Sequence, residues 1–209
     1  MKPFSKISLM LSAILAFNLT IAAFLYVGTL RHDPDPTAQV QTPTRYAINN
    51  AVARLVQAGR AQEVYSFYAQ DVGDPIKAML YTNAAITNRA PVNLVISVGW
   101  YEGGHLVGLV TGPNKNGSVD VSPMGLNSIS YRQYSIAELA KLEMNIPMGV
   151  VHLVGERIKW GVSWESAMAA YNKGRPDGLD YRQIDYVTFV LRHEWELDRR
   201  FASRFADAL

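Results

Sequence analysis

Two carboxylates stand out as able to do chemistry together. Glu102 ends an apolar run from Val92 to Tyr101 and is followed at once by Gly103 and Gly104. Asp120 lies further on, in Asn114-Lys115-Asn116-Gly117-Ser118-Val119-Asp120-Val121. An acid at the foot of an apolar helix loses hydration and holds its proton, whereas one beside a polar turn stays charged. Such a pair can cleave a glycosidic bond: one group protonates the leaving oxygen and the other faces the positive charge that develops on the sugar. Trp100 and Tyr101 are expected to limit water at Glu102, and the negative end of the helix dipole disfavours its anion.

Other chemistries find less support. The four histidines, His32, His105, His152 and His193, form no ligand pair at helical spacing, so no metal is expected, and no cofactor motif is present. Cysteine is absent, which excludes disulfides and thiolate chemistry. A formal charge of +2 without a basic run argues against nucleic acid. The run from His193 to Arg200 reads as a solvated helix face.

The elements that must position the acids are mostly helical. Apolar residues recur at helical spacing from Tyr46 to Tyr68, with Gly59 dividing the segment. Asp74-Pro75 opens a helix toward Thr87, and Pro91 opens the apolar helix that Gly103-Gly104 stops. Leu106–Thr111 and Ser118–Val121, joined by a turn over Gly112–Gly117, suggest a two-stranded excursion. Ser135 caps a helix over Ile136–Met144, another runs from Ile146 to Trp160, and Ser163 caps Trp164–Asn172. A final helix spans Tyr186–Phe205. The predicted fold class is α+β, predominantly helical, with a small β-hairpin flanked by the two acids.

Residues 7–30 carry no charge, and Lys2 and Lys6 precede them. This is the length of a spanning helix, started from the cytoplasm by the basic end. A cleaved signal is the alternative, with Ala22-Ala23 a poor cleavage site. The chain thus divides into an anchor over 1–32, a proline- and threonine-rich tether over 33–44, and a domain over 45–209.

Several segments resemble, in order, the motifs of lysozyme-like lytic transglycosylases, in particular the small enzymes associated with bacterial secretion and conjugation systems. Trp100-Tyr101-Glu102-Gly103-Gly104 is similar to the family's Glu-Ser-Gly segment. Asn114 to Val121 is similar to its Asn-Gly-Ser-x-Asp stretch. Met124 and Asn127-Ser128 fit Gly-Leu-Met-Gln-Ile-Asn-Ser, and Asn145-Ile146 fits the Asn-Ile that opens a helix. Ala170-Tyr171-Asn172-Lys173-Gly174 matches Ala-Tyr-Asn-x-Gly, and Tyr186-Val187 resembles the closing Tyr-Val.

The resemblance implies a lysozyme-like fold, Glu102 as general acid and base, Asp120 as electrostatic partner, and a cleft lined by Ser122, Met124, Asn127, Tyr171 and Asn172. The implied substrate is the β-1,4 bond after N-acetylmuramic acid in peptidoglycan, cleaved to a 1,6-anhydro end. The implied setting is the bacterial inner membrane, with the domain in the periplasm or otherwise outside the cytoplasm, near a secretion or conjugation apparatus. The chain departs from the family at Gly103, where serine is usual, and at Gly125, where glutamine is usual. These departures keep two alternatives open: a wall-binding scaffold without activity, and a hydrolytic muramidase.

Overall fold

The computed structural model describes residues 43–178 and 180–209. The apolar stretch 7–30 and nearly all of the tether lie outside these residues. Among the described residues no helix is long and apolar enough to cross a membrane. The architecture is predominantly helical with one small antiparallel sheet.

Helix α1 (Arg45–Leu55) is capped by Thr44 and runs through a short π turn to Gly59, whose φ of 81° breaks it from α2 (Ala61–Val72). Asp74 caps α3 (Pro75–Thr87) by accepting from the amides of Ile76 and Lys77, with proline in the first turn as expected. Helix α4 (Val92–Gly103) is buried at every residue from Val92 to Gly99 and ends at Gly104 in the left-handed conformation. Its uniformly apolar circumference places it at the centre, packed against α3 and α8 (Tyr181–Arg204).

The sheet contains three strands where the sequence suggests two. β1 (Val110–Thr111), β2 (Asp120–Val121) and β3 (Leu126–Asn127) pair antiparallel in that order. Leu106–Leu109 stay outside it and are exposed, because Gly108 and Gly112 take positive φ on either side of β1. β3 is too short to leave a periodic signal. Its register sets Asn127 directly opposite Asp120, so the two side chains share one face of the sheet.

Two helix boundaries differ from expectation. Ser135 caps α5 (Ile136–Leu139) with a capping box to Glu138, but the helix stops there and α6 (Leu142–Trp160) begins afresh, carrying Pro147 within it. The break is made by Asn145, whose amide takes the Leu139 carbonyl (2.8 Å) that a continuous helix would have used. α7 (Trp164–Lys173) starts at its Ser163 cap as expected. α8 begins at Tyr181 rather than Tyr186, because Asp180 and Gln183 form a reciprocal capping box that supplies an extra turn. That turn puts Tyr186 inside the helix with its ring buried.

The charged run in α8 is solvated on one side only, at Glu196, Arg199 and Arg200. Glu194 is 3% exposed and Asp198 9%. Arg45 clamps Glu194 through two bonds of 2.6 and 2.7 Å and reaches Glu165 at 3.1 Å, tying α1, α7 and α8 together. Asp198 accepts from Asn93 (2.6 Å), which accepts in turn from the Tyr68 hydroxyl (2.6 Å). Burial pushes the Glu194 carboxyl up to about 7 and that of Asp198 to about 6. Apolar periodicity could not foresee these acids because their partners come from distant helices.

Candidate active site

A cleft of ≈ 820 Å³ opens between the end of α4, the sheet and the end of α7. Glu102, Asp120, Asn127, Tyr171 and Asn172 all line it. Ser122 and Met124 do not. They are 1% and 0% exposed and sit behind the floor. Met124 contributes only backbone: its carbonyl accepts from the Tyr171 hydroxyl (2.5 Å) and its amide donates to Asn145 Oδ1 (2.8 Å).

Glu102 lines the cleft from the last turn of α4. Its Oε1 is buried and has no hydrogen-bond partner among the described residues, and the hydroxyl of Tyr186 is likewise buried and unpartnered among them. Loss of hydration is the main cause that lifts its pKa from 4.5 to about 7. The negative charge of Asp120 adds to the rise, while the Tyr186 hydroxyl and the Asn172 amide offset part of it by favouring the anion. Both Tyr171 and Tyr186 hold their protons well above the usual phenol range, first through burial and then through the facing Glu102 charge.

Exclusion of water from Glu102 does not come from Trp100 and Tyr101, contrary to expectation. Both are partly exposed at 42% and 40%. The Trp100 ring stacks on His193 (4.7 Å between centroids), and Tyr101 meets Tyr186 edge-on at 4.7 Å. Shielding falls to Tyr171, Tyr186 and the backbone at Gly125. His105 is no partner either: its Nδ1 faces the Tyr81 hydroxyl at 3.2 Å, and burial drives its pKa down to about 3, leaving it neutral.

Asp120 occupies the opposite environment. Its carboxylate accepts from Asn127 (2.8 Å) and Asn114 (3.0 Å) on the open side of the cleft. Ser118 braces the same pair, since its hydroxyl accepts from Asn114 (2.9 Å) and Asn127 (2.8 Å) and donates to Asn116 (2.8 Å). The turn thus shapes the hairpin and also orients the acid. Sequence reading missed Ser118 and Tyr186 as contributors. The signals available were a hydroxyl two residues before Asp120, on the same strand face, and the Asp180–Gln183 cap that brings Tyr186 inward.

The two glycine departures acquire physical explanations. A Cβ on Gly103 would lie 2.2 Å from Ser122 Oγ and 2.6 Å from Ser122 Cβ. The space a side chain would take at 103 is therefore filled by a serine from the neighbouring loop. Gly103→Ser should lower stability by roughly 1–3 kcal/mol through overpacking, and adding Ser122→Gly should recover most of that loss. Chemical denaturation of the single and double variants checks this. Failure of the double variant to recover would mean that the two positions do not share one space.

Gly125 has φ of 63°, and a Cβ there would stand 2.6 Å from Glu102 Oε2. The bare backbone at 125 is what lets the carboxyl lie where it does. Behind it, Asn145 joins α6 to β2, the turn after it and α5 by three side-chain bonds: to the Val121 carbonyl (2.9 Å), the Met124 amide (2.8 Å) and the Leu139 carbonyl (2.8 Å). Asn145→Ala removes three buried hydrogen bonds at once, so a loss of about 3 kcal/mol is expected on denaturation. A loss below about 1 kcal/mol would show that this brace is dispensable.

No family model, curated protein or solved structure matches the chain.

Proposed function

We propose that the cleft cleaves glycan strands of peptidoglycan, with Glu102 as general acid and then base, on a lysozyme-like α+β domain held at the inner membrane by residues 7–30. The observation that carries this reading is the contrast between two carboxyls in one cleft. The Glu102 carboxyl is buried at Oε1 and protonated up to about pH 7, and Asp120 is hydrogen-bonded to two amides on the open side. The order of the matched motifs along the chain supports the substrate class.

In the proposed reaction Glu102 donates its proton to the bridging oxygen as the bond from the muramic-acid C1 to that oxygen breaks. Asp120 faces the positive charge that builds on the ring. The Glu102 carboxylate then accepts the proton of the sugar's 6-hydroxyl, whose oxygen closes on C1 to give the 1,6-anhydro end. With water as the nucleophile the same groups would yield a reducing end. The fitted space at Gly103 and the cradle at Gly125 favour a working acid over a scaffold that has lost its activity.

Digestion of purified sacculi by the full chain, with products weighed by mass spectrometry, tests the proposal. Soluble fragments ending in anhydro-muramic acid are expected. Fragments with reducing ends would make the protein a muramidase, and sacculi bound without release would make it a scaffold.

A further inference from the structure

Helix α8 has two unlike faces. Tyr186, Val190, Leu197 and Phe201 are buried against the rest of the domain. On the opposite side Tyr181, Ile184, Thr188, Arg192, Trp195 and Arg199 recur at spacings of three and four, and all are exposed. Tyr181 is 65% exposed and Trp195 47%, large values for rings on a helix otherwise well packed. Tyr186, the residue nearest Glu102 on this helix, belongs to the buried side, so the exposed stripe looks away from the cleft.

The stripe couples aromatic rings to cations. The Arg199 guanidinium lies 4.8 Å from the centre of the Trp195 ring, and that of Arg182 lies 5.6 Å from the centre of the Tyr181 ring. Arg192 is exposed too and meets Glu196 only at 3.6 Å. Arg182, Arg192 and Arg199 thus stand against the two acids at the edge, Asp185 and Glu196, with a positive excess. Exposed rings edged by long cationic side chains suit a lipid interface. The rings settle at the level of the headgroups, and the guanidinium groups reach past them to phosphate. A convex helix face also meets a soft planar surface more readily than it encloses a small ligand.

The chain enters the domain at the level of Trp195. Arg45, the first residue of α1, is bonded to Glu194, the residue before Trp195 in α8. The segment from Arg31 to Thr44, which joins the apolar stretch to the domain, reaches at most roughly 50 Å when fully extended. A face tethered that closely meets a bilayer at an effective concentration of ~1 mM, so a weak interfacial affinity is enough to seat it. Resting on the membrane anchor proposed above, we infer that the Tyr181–Arg199 face of α8 lies on the anionic headgroups of the membrane and holds the Glu102 side of the domain away from the bilayer.

Tryptophan quenching in the full chain tests this. The chain is placed in vesicles of phosphatidylcholine and phosphatidylglycerol, with and without bromine on the acyl chains, which quenches indole on contact. Wild-type emission should fall with bromination. Trp195→Phe keeps a ring at the position and should lose most of that fall. Arg192→Glu combined with Arg199→Glu leaves Trp195 and the anchor in place. Each arginine near an anionic surface contributes about fivefold in partition, so the double reversal should weaken seating by on the order of a hundredfold or more and abolish the fall. The double variant should still float with the vesicles through residues 7–30.

No fall in wild type, a fall unchanged by Trp195→Phe, or one that survives the double reversal would overturn the inference. Emission that follows protein concentration instead of bromination would place a second copy on this face and would overturn it equally. The vesicles contain no glycan, so the result is independent of the strand-cleavage reading. If alkaline carbonate strips the chain from the vesicles, the anchor reading fails, and the same fall measured with vesicles added to the chain still decides the face.

Discussion

Raising the pH through about 7 should switch off strand cleavage and, separately, lower the stability of the fold. Both effects come from one carboxyl. Glu102 must hold a proton to act as acid, and burial keeps it protonated up to about pH 7. The alkaline limb of kcat/KM should therefore have its midpoint near 7 rather than near the ordinary glutamate range.

The stability effect has the same origin. Between the unfolded value of 4.5 and the folded value of about 7, the native chain binds more protons at this site than the unfolded chain does. Stability from this group is then fully present below pH 4.5 and falls as pH rises toward 7, by an amount on the order of 3 kcal/mol. Glu194 and Asp198 are raised in the same direction, so the whole protein's pH dependence mixes all three. Comparing wild type with Glu102→Gln isolates the one that matters. The variant should match wild type near pH 4.5 and exceed it at pH 8 in chemical denaturation. Parallel curves across this range would mean that the carboxyl is hydrated after all.

Gly125→Ala should be nearly as damaging to activity as losing the acid's proton. The added methyl would stand 2.6 Å from Glu102 Oε2 and 3.3 Å from its Cδ, well inside contact distance. The backbone cannot easily move aside, because the adjoining Met124 is fixed by Asn145 on its amide and Tyr171 on its carbonyl. The carboxyl must yield instead. A displacement of about 1 Å at a reacting group reduces rate on the order of a hundredfold. Alanine at positive φ adds a strain of roughly 1 kcal/mol. A carboxyl pushed toward water should also titrate lower, so residual activity should shift its alkaline limb to lower pH. A Gly125→Ala variant with full activity and an unmoved pH profile would mean that the cradle is not what holds Glu102.

Much of the candidate site was legible because its signals are local. A cap at Asp74, another at Ser163 and a glycine stop after Glu102 set the helices, and Asp120, Asn127, Tyr171 and Asn172 follow from short motifs. Contacts between distant segments were not legible. Ser122 reads as a cleft polar group until its side chain is seen filling the space beside Gly103. Asn145 reads as a helix-opening residue, yet it bonds to positions 121, 124 and 139. Trp100 and Tyr101 precede Glu102 in sequence, but helical rotation turns them toward His193 and Tyr186 instead. A strand of two residues, such as Leu126–Asn127, has no period to read.

The central claim is that Glu102 is the proton donor for strand cleavage. The most direct test compares muropeptide release from sacculi by wild type and Glu102→Gln, each as the full chain at pH 6. Release by the variant should fall by a factor of about 10²–10⁴ while its fold persists. Equal release by the two proteins would contradict the account.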